Sequence, residues 1–169
     1  MEIIYKRSDR RTLSLEITKE LQVVVRMPRQ CTEKQAEQFV KEHWDWVCTH
    51  YPRQCRRADR FNKSEEEIAA LRKKAKEILP ARVAYFSRLT GLTPTGMSIT
   101  SAKTRFGSCS GKNRVNFSLY LMQYSPGAVD YVVLHELCHI RHKNHRKEFY
   151  ALIARYMPDY QKYVKELRK

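Results

Sequence analysis

With 169 residues the chain suffices for one domain, or one domain plus a small lobe, and is too short for large multidomain machinery. Its apolar share of 42%, beside five glycines, sits near the low edge of the globular range, while a net charge of +15 attracts polyanions, nucleotides or acidic surfaces without naming one of them. Five cysteines without close pairs, no apolar stretch in MEIIYKRSDRR and no apolar run near the roughly 20 residues of a membrane span lead us to expect a soluble protein of the reducing cytoplasm.

Residues 2–6, 13–17 and 21–27 read EIIYK, LSLEI and LQVVVRM, short β-rich runs separated by turn-like SDRR and TKE. They predict a small antiparallel meander. Thr32, with Gln35 three residues on, has the form of a capping box. It opens a helix with Ala36, Phe39, Val40, Trp44 and Val47 at helical spacing, expected to end near Tyr51 and Pro52. Residues 53–63 are strongly basic with few apolar side chains and read as an exposed link, with a lobe boundary near residue 63.

Ser64 and Glu67 repeat the capping-box pattern and open a long helix that runs to about Thr90, where Gly91 supplies the stop. Pro80 is expected to kink or split it. Residues 96–102 and 114–121 predict strands on either side of the polar KTRFGSCSGKN. Ser125 as N-cap and Pro126 at the first helical position then start another helix. The expected class is α+β: an N-terminal β-rich lobe with a helix over 1–63, then a core over 64–169 whose central helix lies beside a small antiparallel sheet.

That helix carries His135-Glu136-Leu137-Cys138-His139, the H-E-x-x-H pattern, in which a four-residue spacing puts both imidazoles on one face. Val129, Val133, Leu137 and Ile140 fall within roughly 80° of one another on the helical wheel, and His135, His139 and His142 within roughly 60° on a different face. Leu134 and Cys138 lie near the far side, so the helix is apolar around much of its circumference and belongs in the interior. Two unpaired imidazoles there would be unfavourable, and a bound cation resolves this.

A catalytic zinc needs three protein ligands and one open position. His142 and His145 are the nearby candidates. His142 stays on the same straight helix, with the first histidine about 10 Å away along the axis, too far for bonds of about 2 Å. His145 follows a Lys-Asn pair that can turn the chain back, so reach favours it, leaving His142 to support a ligand or face solvent.

KTRFGSCS at 103–110, the stretch SPGAVDYVVLHELCHIRHKNHRKEF at 125–149 and MPDY at 157–160 together resemble the YgjP-like metal-dependent hydrolase family, related to SprT-type zinc metalloproteases. Phe106 stands where that family usually has tryptophan. The resemblance implies a zincin-like core of the gluzincin type, with zinc on His135, His139 and His145 and with Glu136 as general base. The chemistry of the residues agrees: the ion polarises water and steadies the oxyanion, while Glu136 takes the proton and returns it to the leaving group. Histidine sites also accept nickel, cobalt and copper.

Within 103–110, Arg105, Ser108 and Cys109 are either oxyanion donors or a structured turn. Arg105 is read as catalytic, because its guanidinium fork suits a carboxylate, phosphate or tetrahedral anion and the resemblance places this block beside the metal. Cys109 and Cys138 read as small packing residues, Asp130 as a partner of the helix dipole, and Glu148 as a solvated carboxylate. Substrate backbone is a candidate partner for the edge of the 114–121 strand, with an ordinary core strand as the equal alternative.

Three functions compete. A metallopeptidase acting on protein or peptide leads. A nucleoside triphosphate pyrophosphohydrolase follows, an activity also attributed within YgjP-like families, and a nucleic-acid-associated binding protein with a structural metal comes last. Residues 103–169 hold 13 Lys/Arg against 5 Asp/Glu, the most basic third of the chain, which suits phosphate-rich ligands or proteins held on nucleic acid. A glutamate inside the motif argues against a purely structural metal. A monomer without membrane association is expected.

Overall fold

The run Val23, Val24, Val25 and Met27 is buried throughout, and it becomes the middle strand of the first sheet in the computed structural model, which describes residues 2–168. The strands are β1 (Ile3–Ser8), β2 (Ser14–Ile17) and β3 (Val23–Pro28), in the order β1-β3-β2. β1 runs parallel to β3, with Ile3 opposite Val23, and β2 runs antiparallel to it, with Leu15 opposite Val25. The antiparallel meander is thereby corrected to a mixed sheet. A strand apolar on both faces seeks the centre, whereas β1 and β2 carry Lys6, Arg7 and Glu16, which belong on edges.

Thr32 caps α1 (Glu33–Glu42) as the sequence predicts: its side chain accepts from Gln35 N, and the Gln35 side chain accepts from Thr32 N at 2.9 Å. The chain then breaks at His43, φ −108° and ψ 15°, and resumes as α2 (Trp44–Phe61), which runs through Pro52. Two helices thus replace the single helix and exposed link. Arg, Gln and Ala are good helix formers, and Arg53, Arg56 and Asp59 are exposed, so polarity in this segment marks a solvated face and not a loop. The chain divides into two compact units, one ending at Asn62 and the other beginning at Lys63. In the first, Val25, Met27, Ala36 and Val40 form the core, with Leu15 and Phe39 packed against it.

The second unit opens with α3 (Glu65–Thr90), capped by Ser64 and Glu67 and stopped at Gly91 with φ 73°. Pro80 does not split it, because Ala75, Leu79, Val83 and Phe86 bury one face while Pro80 lies on the exposed side. The second sheet holds β4 (Gly96–Thr100), β5 (Gly107–Cys109) and β6 (Arg114–Ser118), in the order β4-β6-β5. β4 is parallel and β5 antiparallel to β6, so this sheet too is mixed. β5 was not predicted, since Gly-Ser-Cys shows no apolar alternation. The central place of β6 decides between the two readings of 114–121 in favour of the core strand: both its edges are taken, and β4 and β5 are the edge strands. Leu119–Gln123, the expected end of that strand, is a 3-10 helix with Leu119, Tyr120, Leu121 and Met122 buried.

Ser125 caps α4 (Pro126–Arg141) by accepting from Ala128 N at 3.2 Å, with Pro126 in the first turn. Val133, Leu134, Leu137 and Cys138 are all fully buried, so the helix is enclosed around most of its circumference. Two neighbours hold it in place. Arg82 of α3 grips Asp130 with two bonds, Nε to Oδ1 at 2.5 Å and Nη2 to Oδ2 at 2.8 Å, which makes Asp130 an interhelical tie. After α5 (Lys147–Tyr156), the last helix α6 (Tyr160–Arg168) brings Glu166 to accept from Ser125 N and Oγ, and lays the Tyr163 ring directly on Gly127, where a Cβ would force that ring to move. Among the described residues no helix is long and apolar enough to cross a membrane.

Candidate active site

His135 and His139 lie one turn apart on α4, and His145 returns to them through the turn that precedes α5. Lys143 pins that turn, its Nζ donating to Asn113 Oδ1 at 2.6 Å and to Ser110 O at 3.3 Å in the β5–β6 connection. One nitrogen from each of the three rings lies within 4.8 Å of the others, and His135 Nε2 is 3.0 Å from His145 Nε2. Nitrogens on a tetrahedral ion with bonds of about 2.0 Å would be roughly 3.3 Å apart, so this pair has ligand-like spacing. Beneath them Phe149 is fully buried and touches all three rings, at centroid distances of 4.8, 4.6 and 4.8 Å.

Hydrogen bonds on the far side of each α4 imidazole decide which nitrogen faces the centre. His139 Nδ1 donates to His142 O at 3.0 Å, and since a carbonyl only accepts, the proton sits on Nδ1 and the Nε2 lone pair is free. His142 therefore contributes its backbone oxygen. The Tyr131 hydroxyl stands 3.3 Å from His135 Nδ1 and can play the same part there. Burial, helped by His139 and His145, pushes the His135 pKa down to about 3. Burial also lowers that of His139. Neutral imidazoles with fixed lone pairs are the donor set that a divalent transition ion takes. Replacing Tyr131 by phenylalanine is expected to weaken metal affinity about 10-fold, measured by competition with a chelator, because the ring it orients becomes free to turn. An unchanged affinity would remove Tyr131 from that role.

Glu136 is only 6% exposed and projects towards β5. Gly107 makes this possible: a Cβ there would come within 2.6 Å of both Cγ and Oε1 of Glu136. Burial raises the carboxyl pKa to about 7, with the Arg105 charge pulling the other way. Gly107→Ala is accordingly expected to displace the carboxylate and reduce turnover by about 100-fold while the metal content stays the same. Wild-type turnover in that variant would show that the close approach has no bearing on the chemistry.

The remaining predicted residues separate from this cluster. Burial raises the thiol pKa of Cys109 and takes that of fully buried Cys138 to about 12, so both are neutral packing groups. Glu148 is exposed in the first turn of α5. Phe106 packs edge-on to Tyr124 at 4.9 Å. Arg105 precedes β5 and, with Thr100, Ser108 and Asn116, lines a cleft of about 280 Å³. Tyr131, Gly107 and Phe149 were not singled out from sequence, whereas Lys143 was, as part of the Lys-Asn pair expected to turn the chain back. Tyr131 sits four residues before His135 on α4, so helical spacing carried a signal for it, whereas Phe149 on α5 meets His145 only through the turn that precedes that helix.

A family model described as YgjP-like, metallopeptidase domain, matches residues 54–169, a span that includes all of α4 and the three histidines. No curated protein and no solved structure matches the chain.

Proposed function

The chain belongs to the YgjP-like family of metallopeptidase domains, and from that premise we propose that it is a zinc-dependent peptidase in which His135, His139 and His145 hold the ion and Glu136 is the general base. Membership makes the protein a metal-dependent hydrolase of the peptidase type. The observation that carries the finer reading is the convergence of three ring nitrogens beside a buried carboxyl on the same helix. A divalent ion bound there supplies Lewis acidity, acidifying water and polarising a carbonyl.

The chain's own residues supply the rest. Glu136 accepts the proton of the attacking water on its carboxylate and hands the same proton to the leaving amine, so it ends each cycle as it began. With its pKa raised to about 7 it can do both at neutral pH. Arg105 places a positive charge beside that carboxyl and favours its ionised form. β5, the one of the two edge strands that lies against Glu136, offers the substrate backbone a partner in extended conformation.

The test is to incubate the zinc-loaded protein in parallel with unfolded proteins and with nucleoside triphosphates. Peptide fragments appearing only with metal are expected. Release of pyrophosphate from nucleotides while the proteins stay intact would replace this reading with that of a nucleotide hydrolase.

A further inference from the structure

The register of the second sheet sorts its side chains onto two faces. Gly107 is opposite Phe117 and Cys109 opposite Val115; Phe117 and Val115 are fully buried, and position 107 points at Glu136 of α4. Ser108 is opposite Asn116 and Thr100 opposite Ser118, which places these four on the other face. There they form, with Arg105, the cleft of about 280 Å³, whose lining contains no aspartate or glutamate. Its volume lies just below the range of pockets for drug-sized ligands and is ample for one acidic side chain.

The polar groups of this cleft are unequally committed. Ser118 Oγ donates to Ala102 O at 2.7 Å, and Asn116 Nδ2 donates to Ser108 Oγ at 3.3 Å. Ser108 thus accepts, and its own proton remains available to a ligand. Arg114, also on this face, spends its guanidinium on Ser98 Oγ at 2.8 Å and on Met97 O. Arg105 makes no hydrogen bond or ion pair among the described residues. A cation whose guanidinium donors are uncommitted, although its charge reaches Glu136, a hydroxyl donor and a lining without acids together define a site for an anion.

We propose that this cleft is a subsite for an aspartate or glutamate side chain of the substrate, next to the bond that is cut. The proposal rests on the peptidase reading and gives it a substrate class. A peptide lying along β5 in extended form alternates its side chains between the two faces of the sheet. Where one residue turns towards Gly107 and Glu136, its neighbour turns towards Ser108 and Arg105. The guanidinium fork then receives the carboxylate with two parallel bonds, and Ser108 adds a third donor.

The experiment digests a mixture of random-sequence peptides with the zinc-loaded enzyme and reads the cleavage sites by mass spectrometry. Asp and Glu are expected at one fixed position beside the cut, preferred about 10-fold over Asn and Gln, a ratio typical of a charge-assisted hydrogen bond. Arg105→Met should abolish that preference, Arg105→Lys retain part of it, and Ser108→Ala reduce it. Arg105 is exposed and makes no hydrogen bond or ion pair among the described residues, so these variants leave the core untouched, and because its charge also acts on Glu136 the preference is read as a ratio between peptides within one variant. Cleavage without an acidic preference, or a preference that survives Arg105→Met while all peptides are cut more slowly, would overturn the subsite and leave the peptidase standing. If no peptide is cut at all, the peptidase reading fails and takes the subsite with it.

Discussion

Replacing Glu136 by glutamine is expected to leave the metal in place and to lower kcat/KM by about 1,000-fold, within the range that a positioned general base contributes. The side chain is 6% exposed and fits against Gly107 with no space for a larger group, and glutamine has almost the same shape. Only the ability to take up and release a proton is removed. The two α4 imidazoles keep their partners, His142 O for His139 and Tyr131 for His135, since neither bond involves residue 136. Metal content and turnover should be measured on one preparation. Full turnover with full metal content would exclude Glu136 as the base, and loss of the metal would show that the carboxyl supports the ligands.

The second large effect separates two neighbouring histidines. His145→Ala removes one of the three converging nitrogens and is expected to weaken zinc binding by roughly 100-fold or more, a share of the large free energy that zinc ligation supplies. His142→Ala is expected to change affinity little, because the group that meets His139 is the backbone oxygen, which alanine retains. Elemental analysis after dialysis reads both variants directly. The reverse outcome, with metal lost from His142→Ala and kept in His145→Ala, would mean that the ligand set is wrong.

Local signals were the legible part of the sequence. The capping boxes at Thr32 and Ser64, the stop at Gly91 and the Ser125-Pro126 start depend on side chains within four residues of one another, and each appears at its predicted place. Strand order depends on which strand is apolar on both faces, a comparison between segments far apart in the chain, and both sheets proved mixed where antiparallel ones were expected. Polarity misled at 53–61, where a charged helix reads like a link, and β5 escaped because three small residues form a strand only beside β6.

The candidate site divides in the same way. That His135 and His139 share a face follows from their spacing, whereas the close approach of His145 needs the turn that Lys143 fastens to Asn113. Nothing in the sequence indicates that Gly107 must be small for the sake of Glu136, because that contact joins a strand to a helix 29 residues later. The cleft beside Arg105 likewise exists only once the register of β5 on β6 is known.

The most direct test of the central claim is to strip the protein of metal and titrate zinc back while following cleavage of an unfolded protein. Activity should rise linearly and reach its plateau at one zinc per chain, and the Glu136→Gln protein should bind the same single equivalent without cutting. Cleavage that persists in the stripped protein, or zinc bound at one per chain with no cleavage of any unfolded protein, would contradict the account.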